Sequence, residues 1–441
     1  MHSNGLILVV LESKILVYLN NRISTSTNIV PRMGGGLIQL IAVGIQDIYL
    51  IGNPQITYFK TVYKKHTNFA IESIYQSIDG RTDFGQTIEI TIARKGDLIK
   101  DIIFEVVLPA LPQGSNSSGY FWTNGIGNVL LKQIDLEIGG QLVDRHYSQW
   151  LDIWSQLTIN ESKIGAYNAM VGNFNTISSL QASAANPFRL QIPMFFWFNR
   201  DWAHALPLIA LQYHEVKLKV FLRDFAECYR TQITMPALTG YSIQSMNVWV
   251  DYIYLDMDER RKYAEKTHEY LIDQLQFSGD TTISSDAGGV SVRLNFNHPV
   301  KELYWINTRN DYLQVDPLNG NQQLNYSLEP SVSETFTNGL LQLNGVDRFN
   351  SRSANYFRLV QNFQYHTRYS SKNIYIYSFG LYPERYQPSG TCNMSKITNV
   401  NLYLDYTGIN NTGQNQILKV FGVNYNIFRI MSGMGGLSFS N

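Results

Sequence analysis

Cysteine is nearly absent: Cys228 and Cys392 are the only two in 441 residues, and neither sits in a C-x-x-C pair or a Cys/His cluster. A disulfide framework is thereby excluded, and a reducing compartment is the natural setting. An excess of one charge is also lacking. Lys plus Arg and Asp plus Glu each number 35, so the chain as a whole has no field to steer it toward a polyanion. Charged residues make up only 16%, too few to keep a large surface dispersed by repulsion. Long apolar runs are missing too. The stretch Leu6 to Val10 is broken by Glu12 and Lys14, has no basic region before it and is too short to span a bilayer, so neither signal peptide nor membrane anchor is expected.

What is abundant is aromatic. With 28 Tyr, 22 Phe and a hydrophobic share of 44%, the composition favours strands and broad buried contacts over solvated helices. The length predicts two domains, with an N-terminal arm. Low charge with many aromatics fits a chain that buries surface against copies of itself, a reading shared with an ordinary large core. Residues 1–32 read as an unstructured or misassigned leader outside the folded core, because Met33 before Gly34-Gly35-Gly36 looks like a second start.

Alternation with a period of two recurs. Ile88, Ile90 and Ile92 share one strand face over 87–93, and Val216, Leu218, Val220 and Leu222 oppose Lys217 and Lys219. Further strands are expected at 101–108, 248–255, 270–277, 292–296, 373–379 and 399–406. The clearest helix runs from Asp256 to Thr267, with Asp256 as cap and Glu259 in the capping-box position. An internal echo divides the chain there. The stretch 136–145 turns over Gly139-Gly140 as 341–348 turns over Asn344-Gly345, and Leu218 and Val250 find counterparts in Leu402 and Val423 in the same order. Two similar all-β domains of the jelly-roll kind follow. In the last strand the apolar positions switch from Leu418 and Val420 to Val423 and Tyr425, which predicts a bulge at Gly422.

Chemical motifs are weak. Gly34-Gly35-Gly36 lacks the strand and the Gly-Lys-Ser/Thr of a phosphate loop. His214 and Glu215 fall on opposite strand faces, whereas His146 and Asp144 share one and could share a hydrogen bond or a metal, of which the structural hydrogen bond is favoured because no further ligand spacing is present. Asp251, Asp256, Asp258 and Glu259 could suggest the paired carboxylates of a glycosidase, but a helix start accounts for the last three. The basic run 260–262 reads as a salt-bridged helix surface. Lys60, Lys64, Lys65 and His66 interleave with Tyr58, Phe59, Tyr63 and Phe69 as on a nucleic-acid stacking surface, yet a strand with its lysines in water explains them better, and no specific nucleic acid is expected. No catalytic residue, metal ligand or cofactor site is predicted, so the chain is read as no enzyme. Asn-x-Ser/Thr sequons mark Asn116, Asn160, Asn325, Asn393 and Asn410 as candidate glycosylation sites.

Longer strings carry a resemblance. The segment "GGLIQLIAVGIQDIYLIGNPQITYFKTVYKKHTNFAIESI" at 35–74 is similar to the N-terminal signature of major capsid proteins of large nucleocytoplasmic double-stranded DNA viruses, most closely those of algal viruses. So are "ALPLIALQYHEVKL" at 205–218, "WVDYIYLDMDERRKYAEKTHEYLIDQLQF" at 249–277, "NFNHPVKELYW" at 295–305, "QPSGTCNMSKI" at 387–397 and "NYNIFRIMSGMGGLSFSN" at 424–441. The resemblance implies a double jelly roll: two consecutive eight-stranded antiparallel sandwiches joined by a short helix. The expected parts are a leader and arm at 1–54, a first jelly roll at 55–257, a linker helix at 258–268 and a second jelly roll at 269–441. It further implies a homotrimeric, pseudo-hexagonal capsomer in an icosahedral virion shell assembled in the host cytoplasm. Partners are then other copies, neighbouring capsomers and minor capsid or cement proteins. No membrane insertion is implied, and adjacency to an internal virion membrane stays open. In the family the segment after residue 52 leads from an arm beneath the shell into the first strand. The rival from another class is a carbohydrate-binding or carbohydrate-active β-sandwich, which an exposed aromatic cleft with converging carboxylates would favour.

Overall fold

A computed structural model describes residues 35–113, 119–328, 334–409 and 413–439. The expectation for the leader at 1–32 lies outside them. The chain separates into two compact units that divide between His66 and Thr67. The first is an arm whose described part holds two short helices, Gly35–Ile41 and Ile48–Ile51, and no strand. The aromatic stretch expected as a strand is therefore irregular chain, and Tyr58, Phe59 and Tyr63 in it are 90%, 98% and 80% exposed. High β-propensity does not suffice where no neighbouring strand accepts the ladder hydrogen bonds.

Two sets of eight strands form the four main sheets of the second unit, and six further short strands accompany them among the described residues. The first set comprises β1 (Phe69–Gln76), β2 (Thr87–Thr91), β3 (Leu98–Leu108), β4 (Leu131–Ile138), β5 (Gln141–Tyr147), β6 (Phe188–Pro193), β7 (Val216–Leu222) and β8 (Ser245–Leu255). They pair in the orders β1-β8-β3-β6 and β2-β7-β4-β5. The second set is β9 (His268–Ile283), β10 (Gly289–Arg293), β11 (Pro299–Arg309), β12 (Asn338–Leu343), β13 (Val346–Asp347), β14 (Tyr375–Ser378), β15 (Val400–Asp405) and β16 (Gln416–Met431). Their orders, β9-β16-β11-β14 and β10-β15-β12-β13, repeat the first set strand for strand. Every pairing is antiparallel, and this interleaving of early and late strands is the jelly-roll connection.

The echo holds at the level of register. Leu136 lies opposite Leu218 in the first set, and Leu341 lies opposite Leu402 in the second. Both predicted hairpins turn with positive φ at their two central residues, 61° and 77° at Gly139 and Gly140, and 52° and 80° at Asn344 and Gly345. This is the left-handed pair that matches strand twist in a two-residue loop.

The bulge expected at Gly422 is not there. Register runs unbroken through Gly422, and the irregularities fall on the flanking strands, at Lys301 on β11 and at Ser278-Gly279 on β9. Leu418 and Val420 enter one core while Phe421 and Val423 enter another, so apolar residues of both parities are in phase. Gly422 serves close approach: a Cβ there would stand 3.2 Å from the Phe296 ring.

The helix near the middle is α2 (Met257–Glu265), and Asp256 caps it by accepting from the Met257 N–H at 2.8 Å. No capping box closes, because Glu259 Oε2 is buried without a partner among the described residues. Asp97 anchors the helix entry instead, accepting from the Leu255 N–H at 2.9 Å and pairing with Arg260 at 3.0 Å.

Candidate assembly site

Strands β11 and β16 are buried along nearly their whole length, on both faces. One face packs Leu303, Trp305, Leu418 and Val420 into the core of the second set. The other face turns Tyr304, Ile306, Phe421 and Val423 to the core of the first. A helix that pattern reading missed, α1 (Ser148–Thr158), fills that junction. All but its last residue are buried, including Ser148, Gln149, Asp152, Ser155 and Gln156, which share one helix face, so the polar stripe written in the sequence meets protein and not water. The signal available was the i, i+4 pair Trp150 and Trp154. Trp150, fully buried, meets Tyr304 edge-on at 5.1 Å and Phe421 at 6.1 Å.

Buried polar groups fix how the two sandwiches meet. Asp152 on α1 accepts from Lys372 Nζ at 2.7 Å and from Tyr326 Oη at 2.9 Å. Arg368 donates to the carbonyl and side-chain oxygens of Gln156 at 2.8 and 2.7 Å. Asp273 joins Arg200 at 2.8 Å and Lys301 at 2.7 Å, and the Arg200 guanidinium lies 3.8 Å over the Trp154 ring. Burial pulls the Lys301 ammonium below its ordinary value, and Asp273 offsets only part of this. The Leu275 N–H donates to Asp144 Oδ1 at 3.0 Å. Apolar burial is indifferent to orientation, whereas these bonds are satisfied in one alignment only.

Within the second set, His366 is clamped between carboxylates. Its Nε2 lies 2.9 Å from Glu302 and its Nδ1 2.7 Å from Glu384, while Tyr304 donates to Glu302 at 2.5 Å. Burial alone would lower the His366 pKa, but the two carboxylates outweigh it and push the ring to about 9. The side chains of His366 and Glu302 are wholly enclosed, which makes this a structural clamp.

The remaining predicted positions do not converge. His146 pairs with Asp144 at 3.1 Å and stacks on Phe196 at 4.3 Å, as expected for a structural histidine. His214 Nδ1 faces the Gly435 carbonyl at 2.9 Å, and Glu215 reaches Lys217 at 3.7 Å. Among the described residues no group of three His, Cys, Asp or Glu is placed to hold a metal ion. Asn160 and Asn393 are exposed and Asn325 is half-buried. Each sequon asparagine accepts, through Oδ1, the N–H of the serine two residues on, at 3.1 Å in all three cases. Asn116 and Asn410 lie outside the described residues. Apolar side chains on the outside of the second unit include Phe363 at 87%, beside Leu359 and Val360 at 38% and 41%.

Comparison with known proteins gives this architecture its family. A family model described as "Major capsid protein N-terminus" matches residues 57–256, and one described as "Large eukaryotic DNA virus major capsid protein" matches 259–436. The major capsid protein of Pyramimonas orientalis virus is 44% identical over 434 residues, spanning 93% of this chain and 100% of that protein. That of Paramecium bursaria Chlorella virus 1 is 40% identical over 450 residues with the same coverage, 93% and 100%. A chain of the quasi-atomic model of the PBCV-1 virus capsid superposes with a TM-score of 0.74 at 36% identity, covering 87% of this chain and 100% of that one. The Faustovirus major capsid protein, 13% identical with a TM-score of 0.71 over 97% of this chain and 98% of that one, shares the fold. With its duplicated strand order, the chain is a double jelly roll that belongs to the major capsid proteins of large eukaryotic DNA viruses, structural components of the virion.

Proposed function

We propose that this capsid protein assembles as a homotrimer of pseudo-hexagonal outline, and that these capsomers tile an icosahedral shell put together in the host cytoplasm. The observation that carries the reading is the repeated strand order of two sandwiches held in one orientation by buried ion pairs. A chain with two like bodies gives a trimer six similar edges, and closed threefold symmetry ends its own growth while leaving those edges free. Contacts within the trimer are then large and apolar, and contacts between capsomers smaller and reversible during growth. In this reading 1–54 is leader and arm, 55–257 the first jelly roll, 258–268 the linker and 269–441 the second jelly roll. The exposed arm aromatics find cover against neighbouring copies or minor capsid and cement proteins. No described helix is long and apolar enough to cross a membrane, which suits a shell that lies beside a lipid layer. The chain acts by burial and shape, without catalysis, metal or cofactor. Asn160, Asn325 and Asn393 are its described candidate glycosylation sites.

Sedimentation equilibrium of the native protein tests the trimer: the expected mass is three times the 50.4 kDa of one chain. A stable monomer at high concentration, with no lattice by electron microscopy of its source, would replace the reading with the carbohydrate-binding sandwich. Intact-mass measurement before and after glycosidase treatment reads the sequons.

A further inference from the structure

The junction between the two sandwiches opens at one side into a cleft of about 350 Å³, a volume suited to a small ligand. One wall comes from residues after the short strand Phe121–Trp122 and the start of the helix Ile177–Ala184. The other comes from the loops at 322–327 and 371–373. Most of the lining residues carry an amide or a hydroxyl, beside apolar Phe174, Ile177, Leu180 and Leu324, and two cations reach the cleft, Arg230 and Lys372. Converging carboxylates, the mark of a glycosidase cleft, are not among the lining residues.

The two cations differ in how they are satisfied. Lys372 already gives its charge to Asp152 through bonds of 2.7 and 2.9 Å. Arg230 makes no ion pair among the described residues. Its Nη2 reaches the Leu318 carbonyl only at 3.5 Å, and its Nε is buried without an acceptor. Burial pulls its pKa below the ordinary arginine value, while Tyr312 and Asp316 act from beyond ion-pair distance and offset only part. The guanidinium sits 5.9 Å over the Phe121 ring, and no carboxylate among the described residues comes within ion-pair distance of its rigid fork of donors. Desolvated charges of this kind are normally paired. Asn124, exposed on the same wall, spends its Oδ1 on the Phe174 N–H at 2.8 Å, so its amide donors have no partner among the described residues.

We propose that the cleft is a binding site for a small oxyanion, a phosphate, sulfate or carboxylate group, either free or carried on a sugar, with Arg230 as its charge partner and the Asn124 amide as a second donor. The fork of Arg230 suits two oxygens of such a group, and the surrounding amides suit hydroxyls attached to it.

Equilibrium dialysis of the full-length protein against labelled inorganic phosphate, and separately against glucose 6-phosphate, at constant ionic strength tests the site. The expected result is one saturable site per chain in the millimolar range or tighter, weakened at least about tenfold by Arg230→Gln. Asn124→Asp keeps the acceptor for the Phe174 N–H and adds a negative charge, so it should abolish binding without lowering the melting temperature. It carries the test if Arg230→Gln fails to fold. Tighter binding of glucose 6-phosphate assigns the sugar-borne group, and equal affinity assigns the free anion. Absence of saturable binding of both probes up to about 10 mM, or binding unchanged in Asn124→Asp, overturns the proposal.

Discussion

Replacing Asp152 by alanine should destabilise the protein by about 3 kcal/mol, and replacing Lys372 by methionine as well should cost about 2 kcal/mol less than the two single changes summed. The Asp152 side chain is 2% exposed and that of Lys372 is 23% exposed, so removing the carboxylate strands an ammonium that only partly regains water. Breaking a buried pair from one side costs about 3–5 kcal/mol, and partial rehydration of Lys372 places this case at the lower end. The Tyr326 hydroxyl, fully buried, loses a charged acceptor at the same time, worth about 1.5–3 kcal/mol in a typical site. Lys372→Met alone leaves the carboxylate with Tyr326 only and should cost at least as much as Asp152→Ala. In the double variant neither charge remains, so a coupling energy of about 2 kcal/mol is expected. Urea unfolding of wild type, both single variants and the double variant at one fixed chain concentration closes the cycle, because assembly makes stability concentration-dependent. Additive costs, or a loss below about 1 kcal/mol for Asp152→Ala, would show that the junction is held by apolar burial and that the ion pair is incidental.

Three further outcomes follow from other features. Gly345 has φ of 80° and a Cβ added there would meet nothing within 4 Å, so Gly345→Val should cost about 1 kcal/mol or more through backbone strain alone, read by urea unfolding. Trp150→Ala, at a site with no exposure, should cost about 3–5 kcal/mol through the cavity left against Tyr304 and Phe421 and broaden the thermal transition. His366, raised from 6.5 to about 9 by Glu302 and Glu384, contributes stability that is complete below the ordinary histidine value and is lost as pH rises through about 9. The full effect is about 3 kcal/mol, and melting curves across that window should flatten in His366→Gln.

Strand periodicity, hairpin turns and the repeat were legible in the sequence because each rests on neighbours along the chain. Alternation over 216–222 is a local consequence of one wet and one dry face, and Gly139-Gly140 and Asn344-Gly345 announce turns that few other residues can make. The capsid family was legible for a different reason, in long strings whose order spans both halves. The junction was not legible. α1 gathers Ser148, Gln149, Asp152, Ser155 and Gln156 on one face, as a surface helix would, but that face is buried, and Asp152 and Gln156 are met there by Lys372 and Arg368 from far along the chain, which no local pattern announces. The change of phase around Gly422 misled for the same reason: a strand covered on both faces shows apolar residues of both parities, and which face meets which core is settled by packing. The aromatic segment at 56–63 has strand composition without strand pairing, and Arg230 is an ordinary surface arginine in the sequence until two separate loops close around it. Local chemistry writes the elements into the sequence. The partners of buried charges, being distant in the chain, exist only once the two sandwiches have met.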